Sequence, residues 1–263
     1  MSIIYEPTGK AREYSPLALN IYNGCDHDCS YCYCKRMQYI DFTTNVQPRQ
    51  NLIENLSKEL NRTQYSNQVL LCFTGDLYCK ANDTFKETRS VLMKLWLKNI
   101  PVAILSKGGK RILQDLDIIK KFKCIKVGAT LTCDNNQDSI KYEPGAALPS
   151  ERLETLKILH QNGIKTWISI EPVLFPKQSL NLIEQCLDFV DQFKVGKLNH
   201  IQNSTDWHKF LINSVTLLRK NNKQFYIKDD LAKFSNGFKL EQHETNPDYL
   251  FLKTTHSTQL SIL

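Results

Sequence analysis

The chain has 263 residues, 41% of them hydrophobic, and carries a formal net charge of +7. This length and composition suffice for one large domain, and nine cysteines are too sparse for a secreted disulfide scaffold. No apolar run approaches the ~20 residues that cross a bilayer, and the first residues lack a signal-peptide pattern. We therefore expect a cytoplasmic protein without membrane segments, and its charge mildly favours a polyanionic partner.

Short β-rich runs alternate with amphipathic helices along the chain, which predicts a parallel sheet or barrel. Apolar residues recur at helical spacing in six segments, including 112–119 as the third. Six β/α repeats are too few for the eight of a closed barrel, so we expect an α/β fold that is a partial (β/α)6 TIM-type barrel. Strands are predicted at 18–22, 69–73, 100–105, 125–132, 166–170, 193–195 and 225–227.

The predicted strands and helices leave no convincing domain linker. We expect residues 1–230 to form the barrel core. Residues 231–263 are irregular, and we expect a short C-terminal extension packed across the open side or the bottom of the barrel, not a separate domain.

Three cysteines, Cys25, Cys29 and Cys32, lie together directly after the first predicted strand. Structural iron–sulfur sites normally use four cysteines, so three thiolates on one short loop predict a 4Fe–4S cluster whose fourth iron is open to a small molecule. Zinc is the alternative, but zinc ligands usually come in paired Cys/His units far apart in sequence, and His27 lies inside the loop. Cys34 could add a fourth thiol, which would close the site.

Further polar residues follow the predicted strands at their carboxyl ends, where ligands gather in parallel β/α folds. Because several such residues converge, they indicate a site more strongly than any of them does alone. A turn-forming Gly-Asp pair is the alternative for the second strand. The residues are Thr74, Gly75 and Asp76 after the second strand, Ser106 and Lys107 after the third, and Glu171 at the end of the fifth.

The segment from Asn20 to Tyr33 has the pattern Asn-x-Tyr-x-Gly-Cys-x-His-x-Cys-x-Tyr-Cys. It resembles the cluster loop of the spore photoproduct lyase-like branch of the radical S-adenosylmethionine (radical SAM) superfamily. The resemblance covers about residues 19–199 and implies the partial barrel of the radical SAM fold. Further matches lie, in the order of that branch, at 74–78, 104–107, 143–146, Arg152, 169–173 and 193–199.

The resemblance implies two cofactors, a single 4Fe–4S cluster on the three cysteines and S-adenosylmethionine. In the family, the open iron binds the amino and carboxylate groups of the methionine moiety. The reduced cluster then cleaves the sulfonium and releases a 5′-deoxyadenosyl radical. An electron donor such as flavodoxin or ferredoxin is therefore an expected partner. No cysteine follows Cys186, so auxiliary clusters are not expected.

Part of the implied cofactor site lies near the cluster loop. Tyr31 would stack near the adenine, and a core aromatic is the alternative reading. Thr74, Gly75 and Asp76 stand where relatives hold the methionine ammonium, with Asp76 supplying the carboxylate.

The remaining implied cofactor contacts come from later strands. Ser106 and Lys107, with Thr130 and Thr132 on one face of the fourth strand, would bond the ribose or carboxylate of the cofactor. Arg152 would pair with the methionine carboxylate, because a guanidinium matches a carboxylate in bidentate fashion, and a helix surface residue is the alternative.

Four more residues complete the implied site. Glu171 ends an apolar strand and would be a buried, oriented carboxylate at the cofactor. Lys194, Lys197 and Asn199 would put two cations and an amide beside the mouth, which suits an anionic substrate.

Photoproduct lyases use an additional cysteine near the second strand as a hydrogen-atom donor that quenches the product radical. Cys72 or Cys79 would take this catalytic role here, because both lie near that strand and a thiol S–H bond is weak. A buried small hydrophobic residue is the alternative for Cys72.

We therefore predict a radical SAM enzyme that abstracts a hydrogen atom from a nucleic acid or nucleotide, for repair or modification. Within the same chemistry, the alternative substrate is a small metabolite or a peptide. A second class of hypothesis is a non-catalytic metal-binding module. The sequence leaves the oligomeric state open.

Overall fold

The computed structural model describes residues 2–37, 41–199 and 204–254. Within them, seven strands form one parallel sheet in sequence order, and two short strands, β2 and β3, pair antiparallel. The strands are β1 (Leu17–Leu19), β2 (Tyr22–Asn23), β3 (Gln47–Pro48), β4 (Val69–Leu71), β5 (Val102–Ser106), β6 (Ile125–Thr130), β7 (Lys165–Ile170), β8 (Gln192–Val195) and β9 (Gln224–Ile227).

Helices connect these strands, as a parallel sheet requires. The helices are α1 (Cys34–Met37), α2 (Leu52–Leu60), α3 (Ala81–Phe85), α4 (Glu87–Leu97), α5 (Leu116–Ile119), α6 (Asn136–Tyr142), α7 (Pro149–Gln161), α8 (Pro176–Gln185), α9 (Trp207–Lys220), α10 (Asp229–Ala232) and α11 (Gln242–Thr245). None of the helices in the described part of the chain is long and apolar enough to cross a membrane.

All seven predicted strands are present, which confirms the α/β fold and its partial TIM-type barrel. The strands are buried on both faces, because helices cover the outside of the sheet, and so they appear in the sequence as continuous apolar runs. On α2, Leu52, Leu56 and Leu60 share one buried face at helical spacing.

The third predicted helix, over 112–119, is wrong in detail. A 3-10 turn runs from Gly109 to Asp115 and is followed by the short α5. Two adjacent glycines, Gly108 and Gly109, stand at the start of this segment, and glycine has a low helix propensity.

The barrel interior contains two buried lysines. Lys126 Nζ donates to Gln192 Oε1 at 3.0 Å and to the Leu250 carbonyl at 2.7 Å. Lys194 Nζ donates to the Glu13 carbonyl at 2.6 Å. Lys194 was expected beside the mouth with Lys197 and Asn199, and this prediction is wrong, because its position within β8 turns the side chain into the barrel.

Segments from both ends of the chain pack against the open barrel. Near the N-terminus, Tyr5 forms an antiparallel bridge with Ala18 of β1. The tail crosses the amino ends of the strands, where the Gln68 N–H donates to the Leu252 carbonyl at 3.1 Å. Residues 255–263 of the predicted C-terminal extension lie outside the described residues.

Candidate iron–sulfur and cofactor site

A cavity of about 500 Å³ opens at the carboxyl ends of the parallel strands. Four predicted site residues, Cys79, Ser106, Thr132 and Arg152, do not line it. The others do, and they are Cys25, Cys29, Tyr31, Cys32, Cys72, Thr74, Gly75, Asp76, Lys107, Thr130 and Glu171. The fold therefore brings the three cysteines and most of the predicted cofactor contacts to one place.

Close backbone approach shapes the entry to the cysteine loop. Gly24 has φ +93°, and a Cβ at this position would lie 2.5 Å from the Phe42 carbonyl oxygen. A Cβ at Gly75 would lie 2.8 Å from the Gly24 carbonyl oxygen. A side chain at Gly24 would force the loop away from Phe42, and one at Gly75 would force it away from the segment after β4, so glycine is required at both positions.

The cysteine loop is also held by the turn that follows α6. The Gly145 N–H donates to the His27 carbonyl at 2.9 Å, and the Ser30 N–H donates to the Tyr142 carbonyl at 2.9 Å. On the other side, both carboxylate oxygens of Asp26 accept hydrogen bonds from the backbone at the start of α3. The loop is thus fixed to two separate elements.

The donors present fit a 4Fe–4S cluster bound by three cysteines. All three thiols line one cavity. No three His, Cys, Asp or Glu side chains of the described residues converge as a site for a single metal ion would require. In a cubane cluster each thiolate binds a different iron, so convergence on one point is not needed. Cys34, the alternative fourth thiol, also lines the cavity.

Asp76 joins the ends of β4 and β5 to the cysteine loop. Its carboxylate accepts hydrogen bonds from Ser106 Oγ at 2.7 Å and from the N–H groups of Lys107 at 2.7 Å and Tyr78 at 2.8 Å. His27 Nε2 lies 3.1 Å from Asp76 Oδ2, although this nitrogen makes no hydrogen bond. Burial alone would raise the pKa of Asp76, but His27 and these donors hold it well below its usual range.

The contacts of Asp76 change the expected roles of two residues. Ser106 is buried and supports Asp76, so it does not reach the cofactor space that we predicted for it. Three protein groups already donate hydrogen bonds to the Asp76 carboxylate. The ammonium of the methionine moiety would have to bind the same carboxylate beside them. The contact of Asp76 with the methionine ammonium stays a prediction.

Arg152 does not face the cavity, contrary to the predicted pairing with the methionine carboxylate. Its guanidinium donates to Glu143 Oε2 at 2.6 Å, to the Thr130 carbonyl at 2.9 Å and to the Ala147 carbonyl at 2.7 Å. Both charged side chains are almost fully buried. Arg152 therefore serves as the counter-ion of Glu143, and each of its three nitrogens donates a hydrogen bond within the protein.

Glu143 is a functional residue that the sequence analysis did not select, although it begins one of the matched motifs. Its carboxylate accepts hydrogen bonds from the hydroxyl of Tyr31 and from Thr132 Oγ1. Burial would raise the pKa of Glu143, but Arg152 and Lys107 outweigh it, and the pKa lies below its usual value. Thr132, which we predicted to bond the ribose or carboxylate of the cofactor, therefore orients Glu143 and does not line the cavity.

Tyr31 and Lys107 lie together on the cavity wall. The hydroxyl of Tyr31 is held by Glu143, and Lys107 Nζ lies 5.7 Å from the centroid of the Tyr31 ring. This arrangement presents an aromatic face and a cation at the same point. This arrangement suits a contact of Tyr31 with the adenine and of Lys107 with the ribose or carboxylate of the cofactor. Both contacts remain predictions.

A second polar network meets the cavity at Glu171. Its carboxylate accepts hydrogen bonds from the Tyr14 hydroxyl at 2.7 Å, from Asn199 Nδ2 at 3.1 Å and from Lys228 Nζ. Burial would lower the pKa of Lys228, but Tyr14 and Glu171 raise it well above its usual value. The sequence did not place Tyr14 or Lys228 at this site, because no local motif connects either one to it.

The two candidate hydrogen-atom donors occupy different environments. Cys72 lines the cavity and has φ +63°, and its Sγ accepts a hydrogen bond from the Ile21 N–H at 3.3 Å. Cys79 is fully buried in the apolar core and does not reach the cavity. Access to a substrate therefore favours Cys72 over Cys79.

Known proteins resemble this chain in sequence. An uncharacterised protein of Methanocaldococcus jannaschii is 32% identical over 162 residues, which are 59% of this chain and 60% of that protein. The chain matches 49% of the length of uncharacterised mycobacterial relatives. The chain thus spans about half to three-fifths of the curated relatives that it matches.

Solved structures of other proteins share the fold. Spore photoproduct lyase with a dinucleoside spore photoproduct aligns with a TM-score of 0.63 and 11% identity, covering 84% of this chain and 78% of that one. Streptococcus suis SuiB bound to the precursor peptide SuiA aligns with a TM-score of 0.62 and 15% identity, covering 85% and 53%.

A sequence model of one enzyme family also matches most of the chain. The match is to the Radical SAM superfamily and runs over residues 19–190, from β1 to the segment before β8. It includes the three cysteines, the residues after β4 and β5 that line the cavity, and Thr130 at the end of β6. The chain therefore belongs to the radical SAM superfamily, whose members are enzymes that use a 4Fe–4S cluster and S-adenosylmethionine.

Proposed function

We propose that this enzyme abstracts a hydrogen atom from a nucleic acid or nucleotide, in a repair or modification reaction. The observation that carries the proposal is the lining of the cavity that holds the three cysteines. Lys107 and Lys197 line it, and neither forms a salt bridge with a carboxylate of the described residues. Aromatic rings such as those of Tyr33 and Phe73 line it as well. Cations suit phosphates, and aromatic faces suit bases.

Each group at the site has a distinct task in this proposal. Cys25, Cys29 and Cys32 bind three irons and leave the fourth open. When bound, the cluster and S-adenosylmethionine supply the radical that abstracts the hydrogen atom. The protein orients the cofactor through the strand ends that line the cavity, and Glu143 fixes the position of Tyr31. The flavodoxin- or ferredoxin-type electron donor and the cytoplasmic location belong to the same proposal.

Cys72 is the proposed hydrogen-atom donor that quenches the product radical. Its thiol gives a hydrogen atom to the substrate radical and becomes a thiyl radical. One electron from the donor protein and one proton then restore the thiol. The position of Cys72 at the cavity wall supports this role.

Peptide modification is the second candidate. The structural likeness to SuiB, with its TM-score of 0.62, is as close as the 0.63 to spore photoproduct lyase. Membership of an enzyme family removes the third hypothesis, a non-catalytic metal-binding module.

Anaerobic reconstitution and product analysis test the proposal. The loaded protein should hold about four irons per chain and form 5′-deoxyadenosine when reductant and S-adenosylmethionine are present. It should bind single- or double-stranded DNA oligonucleotides and change their mass, with deuterium entering the product from deuterated water. If 5′-deoxyadenosine forms but no oligonucleotide binds or changes, the nucleic-acid proposal is wrong.

A further inference from the structure

The carboxyl ends of the last three strands of the sheet bring a second set of polar side chains to the cavity. Glu171 follows β7, Lys197 and Asn199 follow β8, and Lys228 follows β9. Tyr14 joins them from the N-terminal segment, and its hydroxyl contacts both Glu171 and Ser169 Oγ. These side chains share the cavity with the cysteines but are not part of the cysteine loop.

This set differs from the cysteine site in its relation to the family. The superfamily match ends at residue 190 and includes only Glu171 of this set. Lys197 and Asn199 belong to the 193–199 motif of the lyase-like branch, and Tyr14 and Lys228 lie outside both matches. The radical SAM chemistry is shared by members that act on different substrates. Residues outside the shared region that reach the same cavity are therefore placed to select the substrate.

We propose that Tyr14, Glu171, Lys197, Asn199 and Lys228 form the substrate-recognition subsite, and that it binds a nucleotide unit by its phosphate and by an N–H group of its base. This inference rests on the proposed function and specifies how the substrate is held. It assigns Glu171 to the substrate, whereas the sequence resemblance predicts a place for it at the cofactor.

The phosphate contact follows from Lys197. Its Nζ donates to the Leu198 carbonyl at 3.1 Å and lies over the rings of Trp207 and Phe234, 5.5 Å and 5.8 Å from their centroids. No carboxylate in the described residues forms a salt bridge with it, whereas Lys228 is paired with both Glu13 and Glu171. Lys197 thus lines the cavity and carries a cation without a salt bridge, whose ammonium has further N–H donors.

The base contact follows from Glu171 and its aromatic neighbours. Oε1 of Glu171 accepts one hydrogen bond, from Asn199, and a carboxylate oxygen has room for a second. The rings of Tyr14, Phe73 and Tyr33 are in edge or tilted contact, with centroids 5.9 Å and 6.1 Å apart. They form a continuous aromatic wall from Glu171 towards the cysteine loop, against which a flat base can lie.

Buried hydrogen bonds hold this subsite in place without a ligand. Lys194 Nζ donates to the backbone carbonyls of Glu13 and Tyr14 at 2.6 Å and 3.3 Å. The Tyr226 hydroxyl donates to Glu13 Oε1 at 2.8 Å. The N-terminal segment is thereby fixed against β8 and β9, and Tyr14 is kept beside Glu171. Such preorganisation reduces the entropy lost on binding.

The test measures binding of dinucleoside monophosphates and of their uncharged methylphosphonate analogues to cluster-loaded protein, under anaerobic conditions with S-adenosylmethionine present. We expect wild type to prefer the charged compounds. Lys197→Gln should weaken binding of the charged compounds about tenfold. It should reduce the slope of log K against log salt concentration by about one and leave binding of the methylphosphonates unchanged. Lys197→Arg should restore the preference, which separates loss of charge from misfolding.

Two further variants complete the test. Tyr14→Phe keeps the ring but removes the hydroxyl that orients Glu171, so it should reduce discrimination among the four bases while preserving the phosphate preference. Lys220→Gln alters an exposed lysine at the end of α9 and should behave as wild type.

The outcomes separate this inference from the proposed function. If wild type prefers the charged dinucleotides and Lys197→Gln does so equally, the subsite is wrong and the nucleic-acid function stands. If wild type binds neither dinucleotide series and binds short peptides, the proposed function is wrong. The inference, which rests on that function, is then wrong as well.

Discussion

Lys126 offers a direct test of how the barrel interior is built. It lies in β6, has no exposed surface, and donates its two hydrogen bonds to Gln192 and to the Leu250 carbonyl. Burial lowers the pKa of Lys126 from 10.5 to about 7, with a further contribution from Lys165. The perturbation is Lys126→Met, which removes the titrating group and keeps a long, flexible side chain.

The expected magnitude follows from that pKa. Between pH 7 and 10.5 the unfolded chain holds one more proton than the folded one, so the free energy of unfolding rises with pH. The slope from Lys126 alone is about 1.36 kcal/mol per pH unit, or about 5 kcal/mol over the whole interval. Below pH 7 the cost of burying the charge is fully present. Lys126→Met removes this slope but leaves two acceptors unpaired, at about 1 to 3 kcal/mol each.

Urea unfolding followed by tryptophan fluorescence, performed anaerobically on cluster-loaded protein at pH 7.5 and 9.5, measures the difference. The stability of wild type relative to Lys126→Met should increase by about 2.7 kcal/mol between these pH values. Titrating groups that do not interact with Lys126 cancel in this comparison, and Lys123→Gln, at an exposed position nearby, should follow wild type. Parallel curves for wild type and Lys126→Met would refute the reasoning.

Three further predictions concern the site. Arg152→Leu leaves Glu143 as an uncompensated buried charge, so urea unfolding should show a loss of about 3 to 5 kcal/mol, and a change below about 1 kcal/mol contradicts this. Gly145→Ala places a methyl group against the carbonyl of the cysteine loop, so iron per chain should fall well below wild type, and full iron content would count against the packing described. Cys72→Ala should abolish deuterium transfer from solvent to product while 5′-deoxyadenosine still forms. Cys79→Ala should retain transfer, and the reverse result would reassign the donor.

Local sequence patterns predicted the elements well but not their ends. The strand predicted at 125–132 stops at Thr130, and the one at 69–73 stops at Leu71. Cys72 follows with a left-handed backbone conformation at φ +63°, which ends the regular strand. Apolar runs continue beyond these points because residues such as Leu131 are buried outside the sheet as well. Burial alone therefore does not mark where a strand ends.

The site shows the same division. The cysteine spacing and the polar residues that follow the strands were recognisable as motifs in the sequence. Most of these residues do line the cavity. The role predicted for Arg152 failed because Glu143, nine positions earlier, takes up its guanidinium, and only the fold shows that pairing. Lys194 was misplaced for a related reason, since side-chain direction in a strand alternates and the register decides which face a residue occupies.

The sequence by itself determined the α/β class, the order of the strands and the three-cysteine cluster loop. These depend on hydrophobic periodicity and on the chemistry of residues close together in the chain. Only the tertiary structure decided which polar groups reach the cavity. Tyr14, Glu171 and Lys228 are separated by more than fifty residues along the chain at each step, and they meet because the N-terminal segment packs against the last strands of the open barrel. Contacts of that kind leave no local pattern to read.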